Sequence, residues 1–472
     1  MPKVCLLGLD GVSWTILERA IDMGKMPYME SILGEGVESD LETIQPPLTG
    51  PAWTSIVTGR NPGEHGVFGF VDSVSGEPYL SHDIEAETIQ EALAEKGDIA
   101  VVNLPISYPP QFDGEFVGSF LSPEEDFIKP QRLGENFDFS GYKKSLTGIE
   151  KSTRVVKSAK KVAASKLDLM ENILEDQDFF FLLFSAPDWV MHNYYHRMED
   201  GEPAKAFEVF EIIDRAIELA DSRSENLILM SDHGFESFER TFHPNQLLKD
   251  EGLLKTSGSM DAEWVDNRAV EAAVEAVATF SPLRKVSRST LLALEEFVPL
   301  PENTKVRMAG MLSEGIDREK SLAFCPSSDK RAIYINDERF QGVVDEREQV
   351  VERVMDMLPE NIKAHRREEL YTGENIEQAP DIVIEEDGYR VSRAIYGDVF
   401  CDRSVNHHGK YGFLYAKGEN IDHKAALEDP GITQIAPTIA ELFGIEFDSD
   451  VKSLGIVDSE MNLSGDLLPD DF

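Results

Sequence analysis

Cysteine is scarce in this chain. Cys5, Cys325 and Cys401 are its only thiols in 472 residues. Three scattered cysteines with no C-x-x-C spacing exclude a disulfide framework and a cysteine zinc site. Long apolar runs are missing too. No stretch reaches the roughly 18 uninterrupted apolar residues of a membrane helix, and Met1–Asp10 meets an acidic residue before any signal core forms. We therefore expect a soluble, cytoplasmic protein with no transmembrane segment. Positive charge is the third scarcity: 45 Lys+Arg face 88 Asp+Glu, a formal net charge of −43. So acidic a surface repels phosphate backbones, which excludes a protein that grips a nucleic-acid duplex through a broad basic face. The excess reads as the solvated acidic coat of a halophilic protein. Small anionic substrates are compatible with it where a bound cation locally reverses the field.

What is present is enough apolar material for a large core, 41% of residues, which argues against wholesale disorder. Length suggests two to four compact units at roughly 150 residues each. Over the first 240 positions short apolar runs alternate with amphipathic stretches. That is the βαβ signature of a mostly parallel sheet covered by helices on both faces. The runs are Val4–Leu9, Ile99–Leu104, Phe179–Phe184 and Leu227–Met230. From about 243 the texture is more charged, with helical patterns at Asn267–Phe280 and Glu346–Leu358 and a strand-like Arg331–Ile335. Sheet texture returns at Gly412–Ala416, followed by a helical Ala436–Phe443. The reading is an α/β core built from two segments, 1–242 and 400–460. It carries an inserted unit at 243–399 and ends in an acidic tail at 461–472.

One local excess breaks the acidic pattern. Lys143, Lys144, Lys151, Arg154, Lys157, Lys160, Lys161 and Lys166 place eight basic residues in 24 positions. The plainer reading is one solvated helix face pairing with acidic neighbours. The sharper one is a contact strip for an anionic surface or a polyanionic substrate.

Asp10, Asp188 and Asp232 each sit just past a buried strand. In open parallel sheets the carboxyl ends of the strands form the ligand crevice, so three carboxylates at equivalent places point to one site. His192 follows Asp188 by four residues, the spacing that puts two side chains on one helix face. His233 adjoins Asp232, and Gly234 permits a tight turn there. His407-His408-Gly409 precede the returning strand and offer one more imidazole. Imidazole and carboxylate without thiolate suit Zn²⁺, Mn²⁺ or Fe rather than Ca²⁺. The nucleophile candidate lies in Pro46–Gly59 (PPLTGPAWTSIVTG). Pro51 suits a first helical residue and Gly59 the stop, so Thr49 or Gly50 falls at the N-cap. Thr49 is then either an ordinary cap or a nucleophile at a helix N-terminus. There the backbone dipoles favour both its alkoxide and an incoming phosphate, and a neighbouring metal would lower its pKa further.

Five segments carry a resemblance: GLDG (8–11), TGPAWTSIVTGRNPGEHG (49–66), PDWVMH (187–192), SDHGF (231–235) and NHHGKYGFLYAKG (406–418). In this order they resemble the alkaline phosphatase superfamily, in its branch of type I phosphodiesterases and nucleotide pyrophosphatases. The resemblance implies an alkaline phosphatase-like three-layer α/β/α sandwich with a mostly parallel central sheet. It also implies a cap domain inserted between the SDHG segment and the last histidine. Two divalent metal ions are implied, Zn²⁺ first and Mn²⁺ as the alternative. Asp10, Thr49, Asp232 and His233 would hold one of them. Asp188, His192 and His408 would hold the other, with His407 as runner-up to His408. Two ions roughly 4 Å apart clamp the attacking and leaving oxygens of an in-line displacement. Thr49 would attack phosphorus to give a phosphothreonine, which water would cleave. The implied activity is metal-dependent hydrolysis of a small phosphate ester or pyrophosphate.

The chain departs from that pattern at Ala52, where nucleotide pyrophosphatases carry an Asn three positions after the nucleophile. A non-bridging oxygen would then rely on backbone N–H groups and the ions. Sulfatases need Cys or Ser as nucleophile with Arg four residues on, and Thr49 and Trp53 hold those places. Gly50, Trp53 and His407 are candidate substrate contacts, although an aromatic such as Trp53 is more often a core residue. His65 reads as a structural turn residue; His196 and His243 read first as ordinary polar residues, with an outer or substrate contact as the minority alternative. Two alternatives stay open: a phospho-group transferase acting on a lipid or glycan acceptor, because another alcohol can replace water in resolving the intermediate, and a catalytically inactive binding protein.

Overall fold

The computed structural model describes residues 3–146, 152–175, 177–256, 316–327, 330–395, 398–449 and 451–458. The helical pattern at 267–280 and the acidic tail at 461–472 lie outside these residues. In chain order the strands of the first half are β1 (Val4–Leu9), β2 (Val37–Glu42), β3 (Ile99–Val102), β4 (Glu115–Val117), β5 (Ile128–Lys129), β6 (Phe179–Phe184), β7 (Asn226–Met230) and β8 (Gly234–Phe242). The second half adds β9 (Ala323–Phe324), β10 (Ala332–Ile335), β11 (Lys363–Arg366), β12 (Ile382–Glu385), β13 (Tyr389–Val391), β14 (Phe400–Gly409) and β15 (Tyr411–Gly418).

The central sheet has eight strands in the order β2-β15-β7-β1-β6-β3-β4-β5. β7, β1, β6, β3 and β4 are mutually parallel. β15 runs antiparallel to both of its neighbours, β7 and β2, and β5 runs antiparallel to β4. β1 shows why the inner strands are apolar throughout. All six of its residues are buried, with Val4 and Leu6 in the apolar cluster on one face and Cys5, Leu7 and Leu9 in the cluster on the other. Successive strand residues point to opposite faces, so a strand covered on both sides needs an unbroken apolar run. Helices Trp14–Asp22, Ser152–Ile173, Ala186–Met198 and Phe210–Arg223 cover one face. Helices Thr49–Thr58, Ile89–Ala94 and Ile435–Phe443 cover the other. The architecture is therefore the expected three-layer sandwich with a mostly parallel sheet. No helix among the described residues is long and apolar enough to cross a membrane.

Phe242 and Phe400 are register partners in β8 and β14, so the chain between them starts and ends at one place. That chain builds a four-stranded sheet, β11-β12-β10-β9, with its own buried cluster around Phe324, Ile333, Tyr334, Val351 and Ile382. It also lends β13 to a three-stranded sheet, β13-β8-β14.

The basic segment is not one solvated face. Lys143, Arg154, Lys157 and Lys161 face solvent, and Lys160 pairs with Glu208 at 2.6 Å. Lys144 turns inward to donate to the carbonyls of Ser122 and Pro123. Lys166 is fully buried, with Nζ 3.4 Å from the Tyr142 hydroxyl. Helical phase explains the last of these: Lys166 lies on the same stripe as the buried Val162, Ala163 and Met170.

Candidate active site

β1 lies between β6 and β7, with Gly8 opposite both Leu183 and Met230. Three carboxylates from distant parts of the chain therefore emerge from three adjacent strands. Asp10 follows β1, Asp188 lies in the first turn of the helix after β6, and Asp232 and His233 follow β7. His408 arrives on β14, opposite Phe235 of β8. Thr49 is the first residue of its helix and Leu48 is the cap. Pro51 is thus the third helical residue rather than the first, a shift of the size expected at helix ends. No side chain caps this helix, and Thr49 Oγ1 lies 3.2 Å from His233 Nε2. Gly59 closes it in the left-handed conformation, φ 64°, which glycine adopts without penalty.

Two groups of ligand-type atoms result, Asp188/His192/His408 and Asp10/Asp232/His233, each with its atoms within 4.8 Å of one another. In the first, Asp188 Oδ1 is 3.4 Å from His192 Nε2 and 3.3 Å from His408 Nε2, and the two nitrogens are 3.2 Å apart. In the second, His233 Nε2 is 3.6 Å from Asp10 Oδ1 and 3.3 Å from Asp232 Oδ2. The backbone assigns two tautomers. His233 Nδ1 donates to Gly234 O at 3.0 Å and His408 Nδ1 donates to Pro47 O at 2.9 Å. A carbonyl only accepts, so in both rings Nε2 presents a lone pair toward the carboxylates.

Lone pairs facing carboxylate oxygens call for a positive charge between them. Asp10 Oδ1, Asp188 Oδ1 and Asp232 Oδ2 are buried and accept no hydrogen bond, a costly state for a polar atom. Burial, followed by the charges of Asp232 and Asp188, pushes Asp10 well above the usual carboxylate range. Burial likewise pushes Asp232 up to about 8. Burial, and then the neighbouring His408, holds His233 well below an ordinary imidazole; burial and then His192 do the same to His408. Neutral imidazoles beside carboxylates that resist ionising alone fit a divalent cation held by oxygen and nitrogen donors.

The remaining candidates separate. His407 falls in neither group; its Nδ1 is 2.6 Å from Arg331 Nη2. Gly50 is buried beside Phe70 and Ile106, which a Cβ there would meet at 3.0 and 3.2 Å. Trp53, a candidate substrate contact with the core as its plainer reading, is fully buried in the sheet-facing cluster. A side chain with no exposed surface is core, because its helix turns that position onto β6. His65 is buried between Ser55 and the Val67 N–H, in keeping with a structural turn. His196 Nδ1 meets Asn406 Nδ2 at 3.3 Å just outside the site, whereas His243 pairs with Cys401 Sγ at 3.3 Å. Sequence reasoning misses Arg331, Glu386 and Asn406. Only Asn406 carries a sequence signal, its place beside the His-His-Gly run.

A profile of the family described as type I phosphodiesterase / nucleotide pyrophosphatase matches residues 4–414. Among solved structures, human ectonucleotide pyrophosphatase / phosphodiesterase 5 aligns with a TM-score of 0.57 at 14% identity, covering 97% of this chain and 100% of that one. Phosphonoacetate hydrolase from Sinorhizobium meliloti, in complex with phosphonoformate, aligns at 0.51 and 16%, covering 88% and 90%. Wild-type alkaline phosphatase PafA aligns at 0.51 and 15%, covering 97% and 99%. Likenesses at these identities speak for the fold, while the profile spans most of the chain. The chain thus belongs to the type I phosphodiesterase / nucleotide pyrophosphatase family, and is a phosphoric ester hydrolase.

Proposed function

We propose that Thr49 is the nucleophile of this hydrolase and that it cleaves small phosphate diesters or pyrophosphates through a phosphothreonine intermediate. The observation that carries this reading is the Thr49 hydroxyl, at the start of a helix and 3.2 Å from the bare Nε2 of His233. Asp10, Thr49, Asp232 and His233 would hold one divalent ion, and Asp188, His192 and His408 the other. When bound, the ions supply the positive charge that stabilises the attacking and leaving oxygens of the phosphoryl group.

The chain's own groups do the rest. The first N–H groups of a helix precede its hydrogen-bond ladder, and here the ladder opens with Ala52 N donating to Leu48 O at 2.9 Å. The N–H groups of Thr49 and Gly50 come before it, at the helix end where the dipole favours negative charge. They take the place of the side-chain amide that Ala52 cannot supply. Thr49 Oγ1 forms the new bond to phosphorus as the bond to the leaving oxygen breaks on the opposite side. Water then displaces Thr49 and restores its hydroxyl. Residues 243–399 act as a cap over a core formed by 1–242 and 400–460. A nucleotide-like ester is the first substrate to test, since an inactive variant of the murine ectonucleotide pyrophosphatase / phosphodiesterase 5 was solved in complex with AMP.

Chelator-stripped protein reloaded with Zn²⁺ or Mn²⁺ should hydrolyse bis-p-nitrophenyl phosphate. Acid quenching during turnover, followed by peptide mass spectrometry, should show a p-nitrophenyl phosphoryl group on Thr49, because one of the two esters stays on phosphorus. Full activity in Thr49→Ala, with no phosphorylated peptide in the wild type, would refute the reading.

A further inference from the structure

Arg331 comes from the inserted segment, yet its guanidinium ends at the last two histidines. It is 2% exposed. Its Nη2 lies 2.6 Å from His407 Nδ1, 2.9 Å from the His408 carbonyl oxygen and 3.1 Å from Glu386 Oε2. A guanidinium donates and never accepts, so His407 Nδ1 is the bare nitrogen of its ring. The His407–His408 stretch is therefore gripped from one side by a charged donor. From the other side, His408 Nδ1 donates to Pro47 O, two residues before the nucleophile.

Arg331 is itself held. Glu386 also takes Arg390 Nη1 at 2.7 Å and the Val391 N–H at 2.6 Å. The Arg331 carbonyl accepts from Ile384 N of β12 at 2.7 Å. Its backbone stands at φ 48°, a conformation uncommon for residues with a side chain. Such residues persist where the surroundings over-determine them, and they cluster at functional sites.

We propose that Arg331 is a positioning residue: by fixing the His408 peptide and the His407 ring, it pre-forms the Asp188/His192/His408 half of the site and makes that half depend on the inserted segment. This rests on the metal reading above. Outer partners of ligating groups typically change metal affinity by about 10–100-fold when removed, and the Arg331 contacts fall on the His408 side.

The test is calorimetric titration with Zn²⁺ of chelator-stripped wild type, Arg331→Met, Arg331→Lys and Lys330→Met. Lys330 is the control for general loosening, because it joins the same strand end to Val71 O and Ser73 Oγ of the core. Wild type should take two ions. Arg331→Met should keep one and bind the second at least about 10-fold more weakly. Arg331→Lys should recover part of the loss, since an ammonium restores the charge but not the planar fork. Lys330→Met should bind both ions as wild type does. The proposal is overturned if folded Arg331→Met binds both ions unchanged or loses both equally, or if Lys330→Met matches its loss. Should Arg331→Met not fold, Arg331→Lys is compared with Lys330→Met, and equal second-ion affinities overturn it. A wild type that takes up no ion sinks the metal reading itself, and this proposal with it.

Discussion

Thr49 Oγ1 and His233 Nε2 stand 3.2 Å apart, and the far nitrogen of that ring donates to the Gly234 carbonyl. One hydrogen bond thus fixes both the ring's tautomer and the direction of its lone pair. Thr49→Ser keeps a hydroxyl at the same helix start and should retain kcat within about 10-fold, while Thr49→Ala should lower it by on the order of 10³-fold or more. Steady-state hydrolysis of bis-p-nitrophenyl phosphate measures both. A Thr49→Ala enzyme as active as Thr49→Ser would remove Thr49 from the chemistry.

The same geometry shows which parts of the molecule are legible in its sequence. β1 and β6 read as strands because burial on two faces leaves no polar positions, and Asp10, Asp188 and Asp232 stand out because each ends such a run. β3 stops at Val102 rather than Leu104, because Asn103 turns away at φ 66°. Arg331 is illegible. In sequence it is one more charged residue at a strand edge, and its meaning comes from β14, 76 positions further on. Counting lysines between 143 and 166 finds a patch, but only helical phase, together with what covers the helix, tells a solvated lysine from a buried one.

Trp53 packs edge-on against Phe181, with ring centroids 5.6 Å apart. It also fills the space beside Gly8, where a Cβ would strike the indole and come within 2.9 Å of Leu183 Cδ1. Trp53→Ala should therefore destabilise the protein by about 3–5 kcal/mol through the cavity it leaves. Gly8→Ala should cost about 1–3 kcal/mol by overpacking the same contact. Urea unfolding reports both. If Trp53→Ala instead raised KM with stability unchanged, Trp53 would belong to the substrate wall after all.

His65 is fully buried. The Val67 N–H donates to its Nδ1 at 3.1 Å, so Nε2 carries the proton and donates to Ser55 Oγ at 2.9 Å. Burial pushes its pKa down to about 3. An unfolded histidine takes up a proton below about pH 6.5, whereas the folded one stays neutral down to about 3. Stability from this residue is therefore present above pH 6.5 and falls with pH below it, by about 1.4 kcal/mol per unit. His65→Gln should be less stable than wild type at pH 7.5 but lose less between pH 6.5 and 5. Urea midpoints of chelator-treated protein at those pH values provide the comparison, and parallel losses in both proteins would show that His65 already has a charge-stabilising partner.

Lys166 is a second buried base, with the same sign of pH dependence. Its amine is fully buried, 3.4 Å from the Tyr142 hydroxyl and 5.3 Å from that ring's centroid, and burial lowers its pKa to about 7. The unfolded lysine stays protonated up to about 10.4, so between those values the unfolded chain binds a proton that the folded chain does not. Wild-type stability should rise with pH across that window, by about 1.4 kcal/mol per unit, and level off below pH 7. Lys166→Met keeps the length of the side chain and removes the amine, so it should be more stable than wild type at pH 7.5 by more than about 1 kcal/mol. The advantage should shrink toward pH 9.5. Thermal or urea unfolding of both proteins across that range decides the matter: a gap that ignores pH, or a destabilised variant, would mean that the ammonium keeps its proton inside the fold.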